Sequence, residues 1–501
     1  MNMIARPYDA RPHAVVIGSG FGGLAAAIRL SARGYRVTVL ERLDAPGGRA
    51  YVHRDEGFTF DAGPTIVTAP FLLDELWALC GQTRDVELHP LDPFYRLRFQ
   101  DGSSFAACDD PIRMRAEVAR LNPADVPGYD RFMKLSAETC RIGFEQLGDQ
   151  PFDSIMDMAR VAPALLRLGG WKSVYSVVAR HFRDERLRTA FSFHPLLIGG
   201  NPFAASAIYS LISHLEQRWG VHWAMGGTGA LVQGLVRLIE GQGSSLRCNA
   251  HVERITVQDG RATGVSLQDG ERIPADIVVS NADSATTYRK LVAPEHRRRW
   301  TDAKLDRSRY SMSLFVWYFG LDRRYDEVDH HSILLGPRYR GLLKDIFNRK
   351  RMAEDFSLYL HRPTATDHSM APKGCDTFYV LSPVPHLQSG TDWTAAAEPY
   401  RQAIARQLDA TLLPGFEKHI VTQRITTPLD FRDRLQSPHG AAFGLEPVLT
   451  QSAWFRPHNR SEEVQGLYLV GAGTHPGAGM PGVLSSAKVL DKVVPHARAF
   501  V

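Results

Sequence analysis

The chain has 501 residues, a length that predicts two or three domains, each with a substantial core. It is 44% hydrophobic, 23% charged and 10% aromatic, which excludes an intrinsically disordered chain. The formal net charge of +5, without long basic runs, disfavours a nucleic-acid-binding protein and permits an anionic membrane surface or a phosphate ligand.

The cysteines and the longest apolar stretches restrict the compartment. The five cysteines are scattered, so they predict reduced thiols in the cytoplasm, with no disulfide framework and no metal or iron–sulfur site. The first residues lack the apolar core of a secretory signal, and no apolar run reaches the ~18 residues of a membrane span. We therefore expect a protein that does not cross a membrane but could lie on one.

The first motif is a strand, a glycine turn and a helix. The run "HAVVI", residues 13–17, reads as a buried parallel strand. Gly18 would allow a tight turn, Gly20 a close approach of backbone to pyrophosphate, and Gly23 close packing of helix on strand. The next strand ends at Glu41, about 20 residues on, where an acid can bind ribose hydroxyls and would repel the extra phosphate of NADP. A structural turn without a ligand is the alternative.

Later segments repeat this pattern. Residues 225–255 predict a glycine turn, an amphipathic helix and a strand pair, and residues 264–283 predict a hairpin followed by a buried strand that could return to the first sheet. Near the other end, "LYLVGAGTHPGAGMPGVLSSAKVL", residues 467–490, is another strand that runs into glycines and a helix with Pro481 in its first turn.

These elements predict an α/β fold with interleaved domains. A discontinuous Rossmann-like dinucleotide-binding domain would comprise residues 12–70, 225–285 and 460–495. Residues 71–224 would form a mainly helical region for substrate binding and membrane association. Residues 286–459 would form a mixed α+β substrate domain.

Several stretches resemble bacterial-type phytoene desaturases, the FAD-dependent enzymes of carotenoid biosynthesis. They are "GFTFDAGPTIVTAPFLLDELW", "FSFHPLLIGGNPFAASAIYSLI", "GGTGALVQGL", "VLTQSAWFRPHNR" and "YLVGAGTHPGAGMPGV". The similarity runs from about Ala14 to Leu490. It implies FAD as the redox cofactor and stepwise desaturation of 15-cis-phytoene to all-trans-lycopene, with neurosporene as an alternative product.

The resemblance also implies a set of site residues. The segment "LDAPGGRA" is similar to an extended dinucleotide motif of FAD-dependent amine oxidases and carotenoid desaturases; Arg49 would approach the flavin, although it could also be an ordinary surface cation. The C-terminal helix would point its positive end at the reduced flavin. The predicted FAD-binding residues are Gly18, Gly20, Gly23, Glu41, Gly48, Arg49, Val252, Gly471, Gly473 and Gly482.

The resemblance implies three partners: the polyene hydrocarbon phytoene, a membrane surface, and oxygen or a quinone as electron acceptor. The location would be cytoplasmic, on the inner membrane. The segment Asp157–Arg183 has the apolar and basic composition of an interfacial anchor, and a surface helix packed on the core is the alternative.

The sequence does not identify a catalytic base. His194, Arg456 and His458 are polar residues in segments expected near the site, and each could instead be structural. The pair His330–His331 reads as part of a surface loop. Six aromatic residues could line a polyene tunnel or belong to the core: Phe191, Phe193, Trp219, Trp223, Trp454 and Phe455.

Three other functions compete with phytoene desaturation. The chain could desaturate a different polyene, or it could be another flavin oxidase that acts on an amine. It could also be a prenyl-binding escort protein without enzymatic activity, similar to the Rab GDP dissociation inhibitors, which lack an intact flavin site.

Overall fold

The computed structural model describes residues 10–500, which contain fifteen α-helices and nineteen β-strands. The helices are α1 (Phe21–Ala32), α2 (Phe71–Leu79), α3 (Pro111–Leu121), α4 (Val126–Cys140), α5 (Ile155–Arg167), α6 (Val174–Val178), α7 (Glu185–Ala190), α8 (Leu211–Trp219), α9 (Thr228–Gly241), α10 (Ser284–Thr286), α11 (Asp302–Arg307), α12 (Tyr339–Lys344), α13 (Trp393–Thr411), α14 (Pro428–Asp433) and α15 (Met480–Val493).

The strands form three sheets and two separate antiparallel pairs. They are β1 (His13–Ile17), β2 (Arg36–Leu40), β3 (Val52–Asp55), β4 (Phe58–Asp61), β5 (Leu88–Pro90), β6 (Tyr95–Arg98), β7 (Ser104–Ala107), β8 (His222–Ala224), β9 (Ser245–Arg247), β10 (Val252–Gln258), β11 (Arg261–Leu267), β12 (Arg272–Pro274), β13 (Ile277–Ser280), β14 (Ser313–Leu321), β15 (His331–Leu334), β16 (Leu358–His361), β17 (Asp376–Val384), β18 (Ile420–Thr426) and β19 (Leu467–Leu469). The two pairs are β3 with β4 and β5 with β8.

The first sheet is parallel and has the strand order β19-β13-β1-β2-β9. Its strands come from three widely separated parts of the chain, which all lie within the segments predicted for the dinucleotide-binding domain. β1 is buried along its whole length because α1, α9 and α15 cover one face of the sheet and β10–β12 pack on the other. α1 packs against both α9 and α15, so the two ends of the chain meet in one core.

The second large sheet has the order β18-β14-β17-β16-β15-β6-β7 and is antiparallel except between β15 and β6. β14 lies in its interior and all nine of its residues are buried, as expected for a strand covered on both faces. β6 and β7 come from residues 71–224, so this mainly helical region also contributes two strands to the sheet formed by residues 286–459.

The helical region packs on the second sheet, where Leu97 and Phe105 share a core with Phe132 and Phe191. α4 and α8 pack together, and the aromatic rings of Phe132, Phe182 and Phe191 form the centre of their core. α5 differs from these helices, because every one of its 13 residues keeps some exposure. Within residues 10–500, no helix is both long enough and apolar enough to cross a bilayer.

Candidate functional site

The turn between β1 and α1 has the geometry that its glycines predict. Gly18 has a φ of +89°, in the left-handed region that favours glycine. A Cβ added to Gly23 would lie 2.0 Å from the carbonyl oxygen of Gly18, so only glycine lets the helix approach the strand this closely. α1 begins after Gly20 without a side-chain cap, which leaves its first backbone N–H groups available to an anion.

A second glycine segment packs on this turn. The Gly47 N–H donates to the Ser19 carbonyl over 3.0 Å, and a Cβ on Gly48 would lie 3.5 Å from the Cα of Gly20. Arg49 follows and donates to the Ala442 carbonyl (2.6 Å) and to Ser437 Oγ (2.8 Å). The surface-cation alternative for Arg49 is therefore wrong, because the guanidinium is held inside the site.

Buried charges lie beside this segment. Burial lowers the pKa of Arg49, and the nearby carboxylate of Asp283 partly opposes that shift. Burial raises the pKa of Asp283, and Arg49 opposes the shift in turn. The pair thus places one cation and one anion on the cavity wall, close to the first glycine turn.

Glu41 is buried at the end of β2 and organises the same turn. Its Oε2 accepts hydrogen bonds from Ser19 N (2.9 Å) and Ser19 Oγ (2.6 Å), and its Oε1 accepts one from Leu43 N (2.9 Å). Glu41 also lines the cavity, near Val252. A carboxylate oxygen has more than one acceptor site, so Glu41 can brace the turn and still bind a ribose hydroxyl.

The C-terminal glycines meet the N-terminal ones. A Cβ on Gly22 would lie 3.0 Å from the Cα of Gly471, and Asn281 contacts both glycines. Asn281 follows β13, and its N–H donates to the Ile17 carbonyl. Sequence analysis missed Asn281; the available signal was a polar residue directly after a buried strand that was expected to return to the sheet.

The N-terminus of α15 also lines the cavity. Gly479 and Gly482 line the cavity there, and the helix, with 14 residues, begins without a side-chain cap. Its free N–H groups and dipole favour negative charge. Gly23 and Gly473 lie behind the cavity surface; a Cβ on Gly473 would come within 2.5 Å of Ser284 Oγ, so their role is close packing.

One cavity of about 650 Å³ joins these features to an apolar chamber. Its polar end is formed by the two glycine turns, Glu41 and Val252, and its far end reaches Met158 and Leu165 of α5. The chamber between them is lined mainly by aliphatic and aromatic side chains: Leu196, Leu197, Ile198, Ile208, Ile212, Leu215, Leu314, Ile333, Leu335, Leu358, Phe431 and Phe443.

A buried polar cluster borders this chamber. Tyr95 donates from its hydroxyl to Glu216 Oε2 over 2.8 Å and lies 3.0 Å from His194 Nε2, which is 3.3 Å from the same carboxylate oxygen. Burial and the adjacent Glu216 raise the pKa of Tyr95 well above its usual value, so the tyrosine remains a donor. Glu216 lines the chamber, with His194 behind it. Sequence analysis included His194 and missed Tyr95 and Glu216.

The other two catalytic candidates have structural surroundings. Arg456 is buried and donates to the carbonyls of Gln451 and Leu445, so it braces the backbone near the C-terminal turn. His458 contacts the Trp454 carbonyl and Glu462. Among the described residues that line the cavity, neither Arg456 nor His458 is found. Of the six aromatic candidates, Phe193 alone lines the described part of the cavity.

The expectation that His330–His331 is part of a surface loop is wrong. His331 begins β15 and is fully buried, and His330 is 5% exposed. The two rings pack with His361 and the indole of Trp223. Burial lowers the pKa of His331 to about 3, so its imidazole is neutral.

The cavity can hold a flavin dinucleotide. A glycine cradle at an uncapped helix N-terminus suits a pyrophosphate, a buried acid suits the ribose, and the start of α15 suits the electron-rich edge of a flavin. These observations define the class as a flavin-dependent oxidoreductase, since the site retains both ends of a dinucleotide-binding groove.

Comparisons with known proteins agree with this class. Residues 21–489 match the family of flavin containing amine oxidoreductases, and the chain belongs to that family. A solved oxidoreductase from Methanosarcina mazei has a similar fold, with a TM-score of 0.64 and 18% identity over 96% of this chain and 100% of that one. The protein is an FAD-dependent oxidoreductase.

Two relatives narrow the family. The chain is 51% identical to the neurosporene-forming phytoene desaturase of Cereibacter sphaeroides, over 98% of this chain and 96% of that protein. It is 52% identical to the lycopene-forming phytoene desaturase of Pantoea ananas, over 94% of this chain and 97% of that protein. The chain belongs to the bacterial phytoene desaturases.

Proposed function

We propose that this protein desaturates 15-cis-phytoene stepwise to all-trans-lycopene, with FAD as its redox cofactor, at the cytoplasmic surface of the inner membrane. One observation carries the proposal: a single cavity joins the dinucleotide cradle to an apolar chamber that reaches an exposed amphipathic helix. The relatives named above act on phytoene, and they divide between neurosporene and lycopene as products.

The reaction removes two hydrogens from adjacent saturated carbons that are flanked by double bonds. Bound FAD supplies the two-electron acceptor for a hydride. The substrate is a hydrocarbon and offers no polar group for recognition, so the apolar chamber must orient it through shape and length. A mismatch of one methylene costs only about 1–3 kcal/mol, so related polyenes compete and the number of steps is set weakly.

The second hydrogen leaves as a proton, and the chamber offers an acceptor for it. Glu216 is a carboxylate on the wall, and it is oriented by Tyr95 and lies beside His194. We assign Glu216 as the proton acceptor, because its carboxylate lies on the wall of the apolar chamber and a carboxylate is a common general base. Tyr95 holds the carboxylate in place, and His194 is a positioning residue.

The surface of α5 supports delivery of the substrate from a membrane. Met158 and Leu165 line the cavity, while Ile155, Met156 and Leu166 on the same helix are more than half exposed. A helix with apolar side chains on both faces can contact lipid and the chamber together. We therefore propose that the polyene enters beside α5.

We propose an interfacial segment that is shorter than Asp157–Arg183, because part of that segment is buried. Of the segment Asp157–Arg183, α5 is at the surface, whereas Val174, Val177 and Val178 of α6 are buried in the core. We define the membrane-docking patch as the exposed apolar residues Ile155, Met156, Leu166 and Trp171 together with Phe455, whose turn contacts α5. Oxygen or a quinone dissolved in the same membrane would accept the electrons.

Product analysis in cells that accumulate phytoene tests the proposed function. We expect the wild type to convert phytoene to lycopene, identified by its absorption spectrum and retention time in liquid chromatography. Accumulation of neurosporene would change the assigned product and leave the reaction intact. Unchanged phytoene, with FAD bound to the purified protein, would contradict the proposal, and amine-dependent peroxide formation would favour an amine oxidase.

A further inference from the structure

Three buried histidines meet where two strands of the second sheet pair. His331 at the start of β15 pairs with His361 at the end of β16, and His330 precedes His331. Each of the three offers one ring nitrogen to a group of atoms that all lie within 4.8 Å of one another. His330, His331 and His361 are 5%, 0% and 1% exposed, so water has little access to the rings.

The outer nitrogens of two rings are held by hydrogen bonds. His330 Nδ1 lies 2.7 Å from Thr366 Oγ1, and His331 Nδ1 lies 2.8 Å from Tyr359 Oη. These contacts fix the ring orientations and leave Nε2 of each histidine for another partner. In metal sites, the second nitrogen of a ligating histidine is usually oriented by such a neighbour.

Four inner nitrogens lack a hydrogen-bond partner among residues 10–500. They are the Nε2 atoms of His330 and His331 and both ring nitrogens of His361. A buried polar atom without a partner destabilises a protein, because it loses its bonds to water and gains nothing in return. Three of them, one from each ring, lie close enough together to point to one ligand that binds to all three rings.

The surroundings select the type of ligand. The Trp223 indole packs against His330 and His361, with ring centres 5.0 and 5.1 Å apart. The neighbouring cation, Arg362, is paired with Asp376 and Asp326 and so is already compensated. Among the described residues the cluster therefore offers three imidazoles and no carboxylate ligand, a set that suits zinc or copper and not the oxygen-preferring magnesium or calcium.

We propose that His330, His331 and His361 bind one transition-metal ion of the imidazole-preferring class, zinc or copper, which joins β15 to β16. Three nitrogens bound at about 2.0–2.1 Å to one ion lie about 3.4 Å apart, so binding requires the three nitrogens, which all lie within 4.8 Å of one another, to move closer together. The FAD cavity is lined by other residues, and the proposal does not depend on the assigned substrate.

Metal analysis of the untagged, full-length, FAD-loaded protein tests this site. The protein is produced in media supplemented with zinc or with copper and passed through a desalting column, and its metal is measured by mass spectrometry. We expect about one ion per chain of one of the two metals, and absorption-edge spectroscopy of that metal should show three imidazole nitrogens. Substoichiometric content of both metals, equal to that of the variants below, would overturn the proposal.

Two variants and a control make the test specific. His361→Leu and His330→Gln should each reduce the bound metal at least tenfold, and a strong chelator should lower the melting temperature of the wild type but of neither variant. His386→Gln is the matched control, because His386 is also buried but lies outside the cluster. If chelation leaves the wild-type melting temperature unchanged, and His361→Leu raises it, the cluster is only a packing feature and the proposal is wrong.

Discussion

Gly22, in the first turn of α1, lies against Gly471, in the turn after β19: a Cβ on Gly22 would be 3.0 Å from the Cα of Gly471 and 2.5 Å from Asn281 Oδ1. The atoms of Gly471 that this Cβ would meet belong to the backbone, so they cannot move aside by a side-chain rotation. This contact joins the two glycine turns, 449 positions apart in the numbering of the chain, into one wall of the cavity.

We expect Gly22→Ala to destabilise the protein and to weaken FAD binding at the same time. Overpacking of a tight contact costs about 1–3 kcal/mol, and the displaced turn is part of the cradle. Thermal unfolding and flavin occupancy measure the two effects. Gly241→Ala is the control, because a Cβ there would meet no heavy atom within 4 Å among the described residues outside its chain neighbours and its own helix backbone; equal behaviour of the two variants would contradict the expectation.

We expect Gly20→Val to abolish FAD binding, because a branched side chain would occupy the space assigned to the pyrophosphate. The new Cβ would also lie 3.0 Å from Asn281 Nδ2, a side-chain atom that can move, so folding should survive. Flavin absorbance of the purified protein is the measurement. Full flavin occupancy in folded Gly20→Val would show that the phosphates bind elsewhere.

Glu41→Ala should weaken FAD binding less than Gly20→Val does. The change removes hydrogen bonds to ribose, worth on the order of 1.5–3 kcal/mol with a charged acceptor, and it also releases Ser19 from the turn. Titration of the apoprotein with FAD gives the affinity. A variant with wild-type affinity would exclude Glu41 from the ribose site.

We expect Glu216→Gln to lose most of its desaturase activity and to keep its FAD. Glutamine preserves the shape of the side chain and a hydrogen bond from Tyr95, but it cannot accept a proton from the substrate. General-base catalysis contributes typically 10²–10⁴-fold, so a loss in that range is expected. Single-turnover flavin reduction by phytoene measures it; a rate within threefold of wild type would rule out this role.

Docking on lipid should depend on the membrane-docking patch and on nearby cations. Serine at Ile155, Met156, Leu166, Trp171 and Phe455 should abolish co-sedimentation with anionic liposomes and reduce phytoene turnover, with FAD retained. The exposed Ile112 on α3, changed to serine, is the matched control. Equal liposome binding by the patch variant and wild type would show that another surface docks.

The charges near the patch should act through ionic strength. We expect liposome binding to weaken when glutamine replaces Arg160, Arg167, Lys172 and Arg180. The loss should be about 1 kcal/mol per charge at low salt and less at high salt, because salt screens the attraction between these cations and anionic lipid. Activity on phytoene in the complete absence of lipid and detergent would contradict the idea that a surface is needed.

Ionisation of Asp61 should lower the free energy of unfolding as the pH rises. Burial raises its pKa to about 6, although its carboxylate accepts a hydrogen bond from Thr228 N at the start of α9. The folded state therefore holds this proton more tightly than the unfolded state, and between about pH 4 and 6 ionisation destabilises the fold by up to about 3 kcal/mol.

Asp61→Asn should remove that slope while keeping an oxygen that accepts from α9. Thermal unfolding at several pH values measures it, and the exposed Glu253→Gln is the control. If Asp61→Asn and the wild type show the same pH dependence between pH 4 and 6, the carboxyl is ionised throughout that range.

Local sequence determined the elements of the dinucleotide-binding sheet. The strand–glycine–helix patterns at residues 13–30 and 467–490 correspond to β1 with α1 and to β19 with α15. The hairpin and returning strand predicted for residues 264–283 correspond to β11, β12 and β13. Each of these elements depends on residues that are close together in the sequence, because the backbone freedom of glycine and the spacing of apolar residues determine structure over only a few positions.

The site outside the cradle was decided by tertiary structure. Glu216 lies within α8, and nothing near it in sequence shows that Tyr95 and His194 meet it inside an apolar chamber. The same holds for His330 and His331, which look like an exposed polar pair until β16 adds His361 beside them. Burial and contact across distant segments depend on how layers pack, and the residue pattern of one segment does not contain that information.

The sequence by itself therefore determined the cofactor class, because a glycine cradle and its ribose acid are local and have one geometry. Tertiary structure decided which polar residues face the substrate chamber, which half of Asp157–Arg183 remains at the surface, and that Gly22 and Gly471 touch. Each of these depends on pairs of residues far apart along the chain, whose proximity is fixed only when the sheets and helices pack around shared cores.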